Sequence, residues 1–360
     1  MIRPREVSRL LSRERPVEQP LTELRPRRPY PDGWFAVAYA DELPPGRVLR
    51  RRLMGQDLVV YRTRSGVVRV VEPHCPHLGA HLGYGGRVDG ESIVCPFHHF
   101  AFGTDGACVR TGYGTRPPAM RLVQRDAHEV NGAILVWHHA GGASPTWEVA
   151  AQPVDGFPPP LRHVTTLVDH PQEIVENAVD LGHIGPIHGY RNVRLQRPFT
   201  AQGPCFTIAA TSERVMPLGG GVLEIAFDIV VHGFGHLWVD ATIPRLRAAA
   251  RFQAMATPID PCRIDFRYGV SVRIGREPPT SARGQMLASH LLTVALGPAF
   301  RRDMRRDFPI WEHKVYLDQP RLAKGDGPLL AFRRWAQQFY SQPITPNGRP
   351  AAVPALSSDR

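Results

Sequence analysis

Two short segments constrain this chain more than anything else in its 360 residues. Cys75-Pro76-His77 and Cys95-Pro96-Phe97-His98 each set a thiol and an imidazole no more than three positions apart, and seventeen residues separate the two segments. Both follow apolar, β-rich runs, so each is expected on a loop leaving a strand. Pro76 and Pro96 stiffen those loops, and Gly79, Gly83, Gly85 and Gly86 allow close backbone approach. Four such donors predict a bound metal. A structural zinc site favours paired ligands two to four residues apart, and the single spacer of Cys75-x-His77 fits that poorly. Cys108, Cys205 and Cys262 bring the cysteines to five, widely spaced, so a disulfide framework is not expected.

Two thiolates with two imidazoles instead suit a Rieske [2Fe–2S] cluster, in which cysteines hold one iron and histidines the other. The stretches Cys75-Pro-His-Leu-Gly-Ala-His-Leu-Gly and Cys95-Pro-Phe-His closely resemble the Rieske domains of Rieske non-haem iron oxygenases. The resemblance implies cluster ligands at Cys75, His77, Cys95 and His98 and leaves His81 to loop packing. It departs at His99-Phe100, where the family usually carries Gly-Trp, which touches the wall of the cluster and not its ligands.

A fully ligated cluster carries an electron but has no open position for dioxygen, so oxygenase chemistry needs a second metal. In the segment from Glu176 to His188, the i, i+4, i+7 spacing of Glu176, Asp180 and His183 predicts one face of a helix. Gly185-Pro186 would end that helix and fold His188 back toward His183. Two imidazoles and a carboxylate make the facial triad of non-haem Fe(II), although such a polar face, taken alone, is more often the solvated side of a helix. Asn177-x2-Asp180-x2-His183-x4-His188 resembles the family's iron-binding helix, which implies His183 and His188 as metal ligands. It also implies that Asp180 hydrogen-bonds His183 and the neighbouring subunit's His98, and that Asn177 lies near the iron as a weak ligand or as structural support; Glu176 is left as a packing or solvent residue. Spacing leaves the third ligand open between Asp303 and Asp307, four apart on a helical face. Asp307-Phe-Pro-Ile310-Trp311-x-x-Lys314 resembles the family's ending, in which the Asp before Ile-Trp binds iron; it implies Asp307 and leaves Asp303 as an ion-pair residue among Arg301, Arg302, Arg305 and Arg306.

The order of patterns predicts an α+β chain: an arginine-rich arm (1–29), an all-β Rieske domain (30–154), a catalytic domain with an antiparallel sheet flanked by helices (155–345), and a disordered tail (346–360). The breaker-rich stretch Gly141 to Pro160 sets the division near residue 155. Asn131-Gly132 between apolar runs signals a hairpin. Beyond the division the pattern predicts a strand from Val164 to Asp169, strands between Phe206 and Ile274, and a helix from about Ser281 to Arg306. No run approaches the roughly 20 apolar residues of a membrane span. Net charge is +11, but only Lys314 and Lys324 are lysines, a compositional skew that does not point to nucleic acid. The charge does suit docking of an acidic ferredoxin.

Pro31-Asp-Gly-Trp34-Phe35, Gly55-Gln56-Asp57-Leu58, Gly325-Asp326-Gly327-Pro328 and Phe332-Arg333-Arg334-Trp335 look most like the branch containing 3-ketosteroid 9α-hydroxylases and cholesterol 7-desaturases. That resemblance implies a homotrimer that hydroxylates or desaturates a bulky apolar, steroid-like molecule, with O2 as co-substrate and electrons from NAD(P)H through a reductase and a ferredoxin. Glu6, Glu14, Glu18 and Glu23 in the arginine-rich arm are unlike an organelle transit segment, so a cytoplasmic chain is expected. Trp34, Phe35 and Trp335 also read as plain core aromatics. The alternatives are a Rieske oxygenase acting on another natural product or aromatic scaffold, and an electron-transfer Rieske protein, which would end near residue 150 and lack the iron helix.

Overall fold

The Asn131-Gly132 signal forms a tight turn with φ of 52° and 73°, and Val130 pairs with Ala133 across it. That turn joins two of the strands in the first half of the chain: β1 (Gly33–Tyr39), β2 (Val48–Leu53), β3 (Gln56–Arg62), β4 (Val68–Val71), β5 (Arg87–Asp89), β6 (Ser92–Val94), β7 (Ala101–Phe102), β8 (Cys108–Arg110), β9 (Gln124–Arg125), β10 (Ala127–Val130) and β11 (Ala133–His138). The second half contains β12 (Leu161–Leu167), α1 (Pro171–Glu176), α2 (Ile184–His188), β13 (Arg191–Gln202), β14 (Cys205–Val215), β15 (Val222–His232), β16 (His236–Ile243), β17 (Ala248–Asp260), β18 (Arg263–Ile274), α3 (Ala282–Met304), α4 (Phe308–His313) and α5 (Leu329–Ala336). The chain is seen in a computed structural model that describes residues 28–153, 156–216, 221–275 and 282–341. Most of the expected arm, the break at 155 and the expected tail lie outside them.

The strands form antiparallel sheets in the orders β1-β11-β10, β2-β3-β4-β9, β5-β6-β7-β8 and β12-β18-β17-β16-β15-β14-β13. Together with the helices they make an α+β fold with an all-β Rieske half. The long helix α3 packs on β18 of the seven-stranded sheet. Two boundaries differ from the sequence reading. The first strand beyond the break begins at Leu161 and ends before Asp169. β13 was not foreseen because Arg191–Gln202 is charged and contains Pro198; it is an edge strand, mostly exposed, where such residues are tolerated.

The largest apolar core is continuous across the two halves. Phe35, Val37, Val60, Val70, Ile134 and Val136 belong to the same buried cluster as Phe206, Phe266, Trp311 and Trp335. Polar groups stitch the seam: Thr257 Oγ1 donates to the Ala36 carbonyl at 2.6 Å, and buried Arg267 donates to the carbonyls of Ala36 and Val37 at 3.1 and 3.0 Å. A second cluster, containing Cys75, Leu82, Ile93, Cys95 and Phe102, lies beneath the Cys/His loops.

Candidate metal centres

The two Cys/His loops share one backbone pattern. The Cys75 amide donates to the Ala80 carbonyl and the Cys95 amide to that of Phe100, while the Cys75 and Cys95 carbonyls accept from the amides of Gly79 and His99. Each cysteine therefore closes a six-residue loop, and the second loop continues the β6–β7 ladder, where Val94 faces Ala101. The fourth residue after each cysteine is left-handed: Gly79 has φ 75° and His99 φ 55°. Glycine adopts that region freely and histidine does so at a cost. Of the four glycines noted in the sequence, Gly86 serves the fold itself, since a Cβ there would lie 2.1 Å from the Leu82 carbonyl oxygen.

Both cysteines are buried, and both histidines are half-buried. The rings of His77 and His98 sit 4.8 Å apart at 75°, and Phe100 stacks on His77 at 4.4 Å. Burial pushes the Cys75 thiol up to about 11, with Cys95 beside it adding to the shift. Thiols so placed ionise only next to a cation. Two sulfurs within and two imidazoles toward the surface, on matched loops, fit the donor set of a Rieske cluster. His81 turns away from it: its Nδ1 accepts from the Gly83 amide, and its Nε2 faces Asp57 at 3.6 Å.

The predicted single helix over the second site is a correction. α1 ends at Glu176, so Asp180 and His183 do not share its face; they belong to a turn that leads into α2. α1 is fixed by the His170 ring, which accepts from the Gln172 amide, and by Pro171 at its first position. The Asp180 side chain accepts from the amides of Gly182 and His183 at 3.0 and 3.2 Å, a local bond that competes with helix continuation. Gly185-Pro186 lies inside α2 and does not terminate it; left-handed Gly189 does. Glu176 is buried in a two-bond ion pair with Arg333 of α5, both at 2.8 Å.

The broken helix still brings the ligand candidates together. His183, His188 and Asp307 each offer a donor atom within 4.8 Å of the other two. His183 Nδ1 lies 2.6 Å from the Asp180 carbonyl oxygen and 3.7 Å from its carboxylate, so Nδ1 donates and Nε2 keeps its lone pair. The Asn177 amide nitrogen is 3.1 Å from that Nε2. Asp307 is buried between α3 and α4, where Phe308 and Trp311 anchor it against Phe266. Burial opposes ionisation of Asp180, but its bonds with His183 and Gly182 outweigh that and hold the carboxyl below the usual range. The Gly325–Pro328 motif braces this turn. The Leu181 amide donates to the Asp326 carbonyl, and a Cβ on Gly327 would lie 2.2 Å from the Val179 oxygen.

Sequence reasoning missed one contact. Asp303 pairs with Arg306 at 3.3 Å as expected, but its other oxygen lies 3.4 Å from His188 Nδ1, while Asp307 lies 3.4 Å from Nε2. Burial disfavours the imidazolium, yet Asp303 and Asp307 outweigh it and raise the His188 pKa to about 9. The i, i+4 spacing of the two aspartates was the available signal: it lets them bracket one ring. A groove of about 630 Å³ lined by Arg162, Arg301, Arg302 and Arg305 lies beside α3 and contains none of the three ligand candidates.

Comparison with known proteins gives this geometry a setting. The Rieske [2Fe-2S] domain matches residues 33–120, and the 3-ketosteroid 9alpha-hydroxylase C-terminal domain matches residues 136–340. The chain belongs to the Rieske non-haem iron oxygenases of the 3-ketosteroid 9α-hydroxylase branch. Cholesterol 7-desaturase nvd of Xenopus laevis is 30% identical over 94% of this chain and 79% of its own length. A probable 3-ketosteroid-9-alpha-monooxygenase, oxygenase component, of Rhodococcus rhodochrous is 27% identical over 88% and 81%. Dicamba monooxygenase, solved with dicamba bound, shares the fold with a TM-score of 0.61 at 19% identity, covering 87% of this chain and 98% of that one. As a Rieske oxygenase the protein is an oxidoreductase with a [2Fe–2S] cluster and a non-haem iron. No helix among the described residues is long and apolar enough to cross a membrane.

Proposed function

We propose that this Rieske oxygenase is the terminal component of a multicomponent system that hydroxylates or desaturates a bulky, mostly apolar, steroid- or sterol-like molecule. Electrons come from NAD(P)H through a reductase and an acidic ferredoxin, and O2 is co-substrate. The observation that carries the reading is the convergence of His183, His188 and Asp307. In this reading those three hold the mononuclear iron, while Cys75, His77, Cys95 and His98 hold the cluster. When bound, the cluster supplies single electrons and the iron a Lewis-acidic centre with positions open to dioxygen.

The chain's own groups orient these centres and admit the substrate. The Asp180 carbonyl fixes the His183 ring, and Asn177 lies beside Nε2, near the position the iron would take. The Asp180 carboxylate, ionised and a third exposed, is suited to reach a neighbouring subunit's cluster histidine, which motivates the homotrimer. Ile229, Val239 and Phe252 pair in register across three central strands and stay only partly buried beside the core. Phe227, two residues along the same strand face, meets Tyr190, which follows the ligand candidate His188 closely. An apolar wall of this kind suits a large hydrocarbon skeleton, the chemistry named for the relatives above. The +11 charge favours an acidic electron donor. None of the five cysteines is in a disulfide, which accords with the cytoplasm. Residues 30–154 and 155–345 serve as the electron-transfer and catalytic units.

The test is oxygen uptake and product mass with a reconstituted ferredoxin and reductase, across a panel of steroids, sterols and small arenes. Stoichiometric oxidation of a polycycle supports the reading. Coupled dihydroxylation of an arene, with no response to any polycycle, would overturn the substrate class.

A further inference from the structure

We propose that Asp303 is a positioning residue for the iron, accepting the Nδ1 proton of His188 so that Nε2 is presented to the metal. The inference rests on the ligand reading above. A neutral imidazole has one nitrogen that donates and one that accepts. The two ring nitrogens of His188 face different carboxylates: Nε2 faces Asp307, the buried candidate ligand, and Nδ1 faces Asp303, each at 3.4 Å. His188 Nδ1 is buried and forms no aligned hydrogen bond among the described residues, which leaves the Asp303 carboxylate at 3.4 Å as the group it faces. With Nε2 given to a metal, Nδ1 must carry the proton, and Asp303 is the acceptor within reach. Arg306 holds that acceptor in place, contacting Asp303 at 3.3 Å and donating to the Ile187 carbonyl at 3.0 Å, one residue before His188. The first histidine is served in the same manner by a different group, the Asp180 carbonyl on His183 Nδ1. Each iron histidine thus has its own Nδ1 acceptor, and an acceptor of this kind is commonly worth about 10- to 100-fold in metal affinity.

The experiment compares the full-length holoenzyme with Asp303→Ala, Asp303→Asn and Asp307→Ala. The readouts are the rate at which a chelator strips Fe(II), iron per chain, and the EPR spectrum of the ferrous nitrosyl adduct, with the reduced Rieske signal reporting an intact fold. Asp303→Ala is expected to release mononuclear iron about 10- to 100-fold faster and to alter the nitrosyl spectrum, with the cluster signal unchanged. Asp303→Asn, whose carbonyl still accepts a hydrogen bond, should recover most of the retention. Release within twofold of wild type for Asp303→Ala, with an unchanged nitrosyl spectrum, overturns the proposal and leaves Asp303 a partner of Arg306 alone. Loss of the iron in Asp303→Ala but not in Asp307→Ala would make Asp303 the ligand and overturn both readings. Iron retained in every variant would overturn the triad itself. Should Asp303→Ala lose the cluster signal as well, Asp303→Leu decides, since leucine fills the same space but cannot accept a hydrogen bond: a release rate within twofold of wild type and an unaltered nitrosyl spectrum in that variant overturn the role.

Discussion

The cluster site and the iron site reach similar ends by opposite routes. The candidate cluster donors lie within four-residue spans of two hairpin-like loops, each closed by the same pair of backbone bonds. The candidate iron ligands come from two segments more than a hundred residues apart and meet only through packing, with the Gly325–Pro328 loop bracing the first segment through the Leu181–Asp326 bond. A site built from local loops is written in ligand spacing. A site built by packing depends on the residues that brace it.

That contrast can be broken by substitutions. The largest effect is expected from Asp307→Ala, which should abolish turnover and lower iron toward two per chain while the dithionite-reduced Rieske signal persists; equal loss of both centres would show that they are not independent. Next, Asp180→Asn should retain both metals yet lose about 10- to 100-fold in product formation, the range expected of a group that orients metal-bound imidazoles, and full activity with normal iron would remove Asp180 from the pathway. The third prediction concerns the seam. His236 is fully buried, its Nε2 lies near the amides of Gln253 and Asn131, and burial pushes its pKa down to about 3; burial likewise lowers His138 to about 4. Their folded values lie below the ordinary 6.5, so the unfolded chain binds these protons first, and stability falls as pH drops from about 6.5 toward 4. The loss for His236 alone should be on the order of 3 kcal/mol by pH 4. Urea midpoints from pH 7.5 to 5 measure it, and a midpoint independent of pH counts against it. The smallest effect is His99→Gly: relieving a left-handed histidine should stabilise the chain by about 1 kcal/mol, seen as a higher Tm with the cluster retained.

The sequence made the cluster loops, the Asn131-Gly132 hairpin and the α+β order legible because each rests on spacing within a few residues. The continuous helix from Glu176 to His183 was misread because periodicity does not show a side chain taking backbone amides for itself, as Asp180 does. Strand β13 was invisible for a related reason: an edge strand needs no apolar alternation. Asp303 was read as an ion-pair residue among arginines because sequence spacing shows that two aspartates can reach inward but not that a ring lies between them. The resemblance named Asp307 for the iron; geometry added the partner on the other nitrogen.

The apolar cluster running unbroken from Phe35 to Trp335 also limits how such oxygenases can exchange parts. A crossover near residue 155 would not release a self-sufficient electron carrier; it would strip Phe35, Val37, Ile134 and Val136 of their neighbours and leave Arg267 and Thr257 facing carbonyls of a foreign strand. Lineages that traded the front half for another would have to trade the seam residues of β17 and β18 with it. Recombination between distant members should therefore yield insoluble chains far more often than inactive but folded ones.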